Sequence, residues 1–303
     1  FQNLRESFIP NVRLGIKSAS TSFFLPKLSR FINKKLYQLG LGSALNRYDN
    51  SFTIYSAKRD ADFYDRYCVD DIFCAFGSGS FFHNRWVNYD YPGQSDYYKA
   101  IQGKENIDFF SINLCVTNLA LPHEDNSVSL IYCSHTLEHL ELHFGEKFLA
   151  ECHRILKDGG IMRIAVPSTD NDHKIASIIN SQEKISIHTK GDVCAQVAQY
   201  MLADSISLGA EKIYQLMVNS GFDAKHFYEN AIAEGVSSKF SPNNPERHIA
   251  FWNYSALLNI SQELSFKACI PLYRGASLAK PFLNLNVFDT TEPQISLYVE
   301  LVK

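Results

Sequence analysis

The sequence predicts an α/β protein built on a doubly wound, mostly parallel sheet, and three observations carry that expectation. Short apolar runs recur between residues 72 and 166, with an amphipathic helical pattern among them. The first run passes straight into Gly77-Ser78-Gly79. The second ends on Asp90, and the fourth on a polar stretch from Ser134 to His139. Ligands of such sheets gather at the carboxyl ends of the strands, so these endings are where chemistry is expected.

Each element follows in order. Residues 1–65 are read as an N-terminal helical extension, with Phe23, Leu25, Leu28, Phe31, Ile32 and Leu36 at roughly helical spacing. Lys27, Arg30, Lys34 and Lys35 lie between them, giving an ordinary helix with a basic solvated face or, in the sharper reading, a contact through residues 20–40. Residues 66–168 form the ligand-binding core. Ile72–Phe76 is its first strand, Gly77–Gly79 the tight turn after it, and Trp86–Asp90 its second strand. Ile112–Val116 is expected as the third strand and Val128–Cys133 as the fourth. An amphipathic helix over Gly145–Lys157 stops at Lys-Asp-Gly-Gly, and Ile161–Val166 is the fifth strand. Residues 169–250 read as a helical insertion that covers the site, with His226, Tyr228, Arg247 and His248 as its polar highlights. Residues 251–303 complete the sheet through a helix over 255–264 and strands over 268–273 and 295–302.

Composition excludes several classes. At 303 residues the chain can bury one good core plus an insertion, and with 46% hydrophobic and 20% charged residues it folds rather than staying disordered. A net charge of -3 without a basic stripe argues against nucleic acid as partner. The 7 cysteines, without Cys-x-x-Cys spacing, fit reduced thiols in a cytoplasmic protein. No apolar run approaches the ~20 residues that span a bilayer. The chain opens on Phe1 rather than Met, as a trimmed chain or a piece of a larger polypeptide would.

The spacing also discriminates among cofactors. A dinucleotide fingerprint needs about 20 residues and a full helix between its glycines and its acid. Gly79 and Asp90 are far closer, and Phe82 stands where the third glycine belongs, which argues against nicotinamide or flavin. At the end of the fourth strand, histidine is suited to take a proton near neutral pH, making His139 and His135 candidate bases, with His248 a further one. His135-x-x-Glu138-His139 also spells a metalloprotease pattern, but an apolar strand directly precedes it. A metal site there is the weaker reading, and no metal is expected.

Six pieces in order carry a resemblance: Gly77 and Gly79, Trp86 to Asp90, Leu121-Pro122, Asp125 to Ser127, Glu138 to Leu140, and Leu156 to Gly160. Together they resemble class I S-adenosylmethionine-dependent methyltransferases, and more narrowly the branch common in bacterial surface-polysaccharide biosynthesis clusters. Ser296-Leu-Tyr-Val-Glu300 adds an echo near the C-terminus.

The resemblance implies a Rossmann-like, seven-stranded sheet with an antiparallel last strand. It implies S-adenosylmethionine as cofactor, held by Phe76, Gly77, Ser78 and Gly79, with Asp90 on the ribose and Asn113, Val116 and Ser134 completing the site. It also implies O-methylation of a sugar hydroxyl of a cell-surface glycan or lipopolysaccharide precursor, with a histidine as general base. A glycosyltransferase or membrane surface would then be the partner of residues 20–40. The third strand lacks the carboxylate that many such enzymes use on adenine, so Asn113, Thr117, Asn118 or a backbone group would replace it. Methylation of an amine or small metabolite, or a non-catalytic scaffold in a larger glycan-assembly protein, are the alternatives. The sequence is silent on oligomeric state.

Overall fold

The computed structural model describes residues 43–45, 52–54, 57–79, 81, 83–93, 109–168, 239–243, 248–250, 252–290 and 296–303. It also describes scattered positions within 28–36 and 218–226. The chain divides into two units, Phe1–Arg66 and Tyr67–Lys303.

In the first unit, β1 (Ser43–Leu45) and β2 (Phe52–Ile54) form an antiparallel hairpin, followed by α1 (Ala57–Phe63). Positions 28, 31, 32, 35 and 36 are helical, and Leu28 and Phe31 are exposed. The rest of the basic segment lies outside the described residues, as does most of 169–250.

The second unit is organised by a sheet of seven strands: β3 (Ile72–Phe76), β4 (Val87–Asp90), β5 (Phe109–Ser111), β6 (Val128–Ser134), β7 (Leu156–Pro167), β8 (Ala268–Leu272) and β9 (Ser296–Val302). Their spatial order is β5-β4-β3-β6-β7-β9-β8. Strands β3 to β7 pair in parallel, and β9 runs antiparallel to both neighbours. This is the doubly wound sheet with a reversed last strand, and its order reverses between β3 and β6, where ligands of such sheets bind.

Two unlike layers cover the sheet. Strand alternation sends Cys74 and Phe76 of β3 to one face, where α2 (Leu142–Ile155) buries Phe148, Leu149, Cys152 and Ile155 against them. Gly145 of α2 is required by packing, because a Cβ there would meet the Trp252 ring at 2.7 Å. After Trp252, α3 (Tyr254–Glu263) starts on Asn253, whose side chain accepts the Ala256 N–H at 2.8 Å and caps the helix.

The opposite face carries Phe73, Phe81, Trp86, Tyr132, Phe282 and Phe288, with ring centroids of neighbouring pairs such as Tyr132 and Phe288 4.9 Å apart. Among the described residues no helix links β3 to β4. Aromatic bulk fills that layer instead.

Two elements differ from expectation. The third strand is Phe109–Ser111 rather than Ile112–Val116, because Asn88–Asp90 pair with Phe109–Ser111. The chain then turns away as the Asn113 side chain accepts the Cys115 N–H at 2.9 Å. The fifth strand starts at Leu156, directly from α2, and its early residues bond the chain end: Gly159 N–H donates to the Lys303 carbonyl and Lys303 N–H to that of Gly160.

Candidate active site

The turn after β3 is shaped by two contacts. Gly77 has φ +63, and a Cβ on it would fall 2.0 Å from the Thr136 hydroxyl oxygen. Thr136 follows β6, so the loops leaving the two central strands meet here, and only glycine satisfies both backbone and space. Across the turn, buried Asp90 accepts the Gly79 N–H at 2.6 Å and the Tyr91 N–H at 2.7 Å.

The remaining cofactor candidates are placed unevenly. Ser78 is buried, and its N–H donates to the Tyr89 carbonyl at 3.2 Å. The Phe76 ring stacks on Tyr89 at 4.9 Å and packs on Phe148, so its side chain belongs to the core and only its backbone reaches the turn. Asn113 and Val116 are exposed just beyond β5, where the Ile112 N–H donates to the Asp90 carbonyl at 2.8 Å. Ser134 is half-buried at the end of β6, and its carbonyl accepts the Thr136 hydroxyl at 3.3 Å.

The polar residues after β6 form a tight group. His135 sits at φ +51, a conformation strained for a side chain of its size, and its N–H donates to the Ala165 carbonyl at 2.7 Å. Its Nε2 lies 3.0 Å from the Ser296 hydroxyl, and its Nδ1 approaches Glu138 Oε1 at 3.1 Å. That approach is an electrostatic pairing that does not align as a hydrogen bond. It leaves Glu138 Oε2, at the bottom of a fully buried carboxylate, with no partner.

A short 3₁₀ turn, Leu137–His139, then brings the second histidine up to the third. The Glu138 carbonyl accepts the N–H groups of Ile249 at 2.6 Å and Ala250 at 3.1 Å. Trp252 Nε1 donates to the Leu137 carbonyl at 3.0 Å. These three bonds fix the register of two distant segments, so the His139 and His248 rings meet edge to face with centroids 4.7 Å apart. Glu138, His139 and His248 each offer one ligating atom, all within 4.8 Å of one another.

Electrostatics polarise the group. Burial works against ionisation of Glu138, but the nearby His135 side chain and the other two imidazoles outweigh it and hold the carboxyl well below the usual range. Burial pushes His248 down to about 4, against the pull of Glu138, so its ring is neutral at neutral pH.

Sequence reasoning named the three histidines and the glycines. It missed Thr136, which no spacing singled out, and it gave buried Glu138 a role only in the metalloprotease pattern, the Glu-His-Leu resemblance and a divalent-ion site that was the weaker reading. Arg247 and Tyr228 lie outside the described residues.

Residues 83–164 match the family model of a methyltransferase domain. That match runs from β4 into β7 and includes His135, Glu138 and His139, but neither the Gly77–Gly79 turn nor His248. Over that stretch the chain is similar to a methyltransferase domain. A comparison with curated proteins finds no match.

Among solved structures, an S-adenosylmethionine-dependent methyltransferase from Mesorhizobium loti is 10% identical over 80% of this chain and 96% of its own, with TM-score 0.38. One from Aquifex aeolicus is 11% identical over 89% and 97%, with TM-score 0.35. PigF, solved with SAH, is 11% identical over 94% and 63%, with TM-score 0.38. The likenesses are distant, and the fold of the methyltransferase rests on its own strand order. The tight Gly77–Gly79 turn and the Asp90 carboxylate bonded to it have the residue types that a cofactor with a ribose diol would need. Among the described residues no helix is long and apolar enough to cross a membrane.

Proposed function

We propose that the methyltransferase O-methylates a hydroxyl of a cell-surface glycan or its precursor, with a histidine of the cluster taking the acceptor's proton. The observation that carries this reading is the meeting of His139 and His248 over buried Glu138, on the loop whose Thr136 touches the Gly77 turn. When bound, S-adenosylmethionine supplies a methyl group activated by its sulfonium.

The protein's own part is placement and proton transfer. Asp90 and the Gly77–Gly79 backbone would hold the cofactor, and the loop after β6 would orient the acceptor hydroxyl toward it. Alignment of this kind supplies a large share of the rate. His139 would take the hydroxyl proton as the acceptor oxygen is methylated. His248, kept neutral by burial, orients that ring, and Glu138 stabilises the imidazolium.

A sugar acceptor is what the resemblance to the polysaccharide-cluster branch implies, and a cytoplasmic protein acting on glycan precursors fits that reading. The exposed Leu28 and Phe31 support contact of residues 20–40 with a membrane surface or a glycosyltransferase.

The test is methyl-labelled S-adenosylmethionine incubated with sugar nucleotides, lipid-linked oligosaccharides and, as controls, small amines. Label in a glycan ether, lost with His139→Ala, is the expected result. Label only in amines would overturn the hydroxyl reading.

A further inference from the structure

We propose that Glu138, His139 and His248 bind a divalent first-row transition-metal cation, of which Zn2+ is the best match. Three atoms carry the inference. Glu138 Oε2, His139 Nδ1 and His248 Nδ1 are all buried without a hydrogen-bond partner, in side chains whose ligating atoms lie within 4.8 Å of one another. Buried polar atoms are almost always satisfied, and orphans carry a desolvation cost. One unpartnered atom is commonplace; three that converge point to a missing common partner. A cation is the partner that a carboxylate and two imidazoles can share.

The donor set selects the ion. Two imidazole nitrogens and one carboxylate oxygen suit zinc and its first-row neighbours, whereas calcium and magnesium prefer oxygen ligands alone. Metal–ligand lengths of about 2.0–2.1 Å put tetrahedral ligands roughly 3.3 Å apart, so the side chains must close by up to about 1.5 Å, within the reach of torsional rotation.

The frame around them is already tied. Ile249 and Ala250 donate to the Glu138 carbonyl, Trp252 donates to that of Leu137, and His135 Nδ1 stands 3.1 Å from Glu138 Oε1, steadying the carboxylate from behind. Such outer partners commonly orient metal ligands.

Three protein ligands leave a fourth position open, as in catalytic rather than structural zinc sites. The role of the ion rests on the methyl-transfer reading. In the metal-loaded protein the acceptor hydroxyl would take the open position, where the metal's charge would lower its pKa and its proton would leave to water, whereas His139 takes that proton only in the metal-free protein. The binding itself rests on the geometry alone.

The test uses the full chain, stripped with chelator and titrated with ZnCl2 by calorimetry, with CoCl2 as a spectroscopic probe. We expect one saturating equivalent of Zn2+ and the intense visible absorption of four-coordinate Co2+. Glu138→Gln, His139→Gln and His248→Gln should each weaken binding at least tenfold, and exposed His143→Ala should leave it unchanged. Circular dichroism checks that each variant is folded. A folded wild-type chain with no saturable Zn2+ binding overturns the proposal, and so does binding that survives all three replacements. S-adenosylhomocysteine is titrated into the metal-free protein in parallel. Cofactor binding without zinc binding removes only the metal; zinc binding without cofactor binding removes the methyl-transfer reading and keeps the site.

Discussion

Two buried charged groups in this protein invite comparison. Arg163 and Glu300 face each other across β7 and β9, with Arg163 fully buried. The guanidinium donates to Asp289 at 2.6 Å and to the carbonyls of Ala276 at 2.8 Å and Tyr273 at 3.0 Å. Glu300 in turn accepts the Ser277 hydroxyl and the Leu278 N–H. Burial still raises the Glu300 carboxyl, although hydrogen bonds and Arg163 pull it down.

Every charge there has its partners, all from the protein. The Glu138 group is the reverse: its carboxylate is buried, His139 and His248 are half-buried, and orphaned atoms of all three converge. The first ties the last strand and its loop to the sheet. The second keeps bonding capacity in reserve at a strand end, as a site for something else must.

The comparison can be broken by mutation. The largest effect expected is catalytic: His139→Ala should lower kcat by about 10²–10⁴, roughly 3–5 kcal/mol, with the melting temperature little changed. Arg163→Met should do the opposite, leaving activity per folded molecule intact but costing about 3–5 kcal/mol of stability in urea unfolding, because two buried carboxylates lose their cation.

Acid should act on the Glu138 group next. In metal-free protein His248, facing Glu138, His139 and His135, has its pKa lowered from 6.5 to about 4. The unfolded chain therefore binds more protons than the folded one between those values. Stability is full above about pH 6.5 and falls by up to about 3 kcal/mol as pH drops toward 4. His123 and His153, also lowered mainly by burial, add to the same slope. His248→Gln should flatten most of it in urea titrations at successive pH values.

Smaller still, Gly77→Ala should cost roughly 1–3 kcal/mol and weaken cofactor binding, and Thr136→Gly in the same chain should recover part of both by removing the clash. At the bottom, Lys267→Ala, which breaks an exposed 3.4 Å pair with Asp158, should change stability by under about 0.5 kcal/mol.

Much of the sheet was legible because its strands are buried apolar runs with clear breaks, as at Ile72–Phe76 and Val128–Ser134. The third strand was not, because residues 109–116 are apolar except for Ser111 and Asn113 and its position depends on pairing with Asn88–Asp90. The site divides the same way. Gly77, Gly79 and Asp90 lie close in sequence, and their turn chemistry was readable. That His139 meets His248 depends on backbone bonds between Glu138 and residues 249–250, and no local pattern reveals a contact across such a separation. Phe76 was read as cofactor-facing, yet strand alternation turns its ring toward α2. The insertion expected to cover the acceptor lies almost wholly outside the described residues.

The measurement that bears most directly on the account is calorimetric titration of the full chain with S-adenosylmethionine and S-adenosylhomocysteine, with Asp90→Ala alongside. The account predicts saturable, micromolar binding of both by the wild type and its loss in the variant while the fold persists. A folded wild-type chain that binds neither would contradict it.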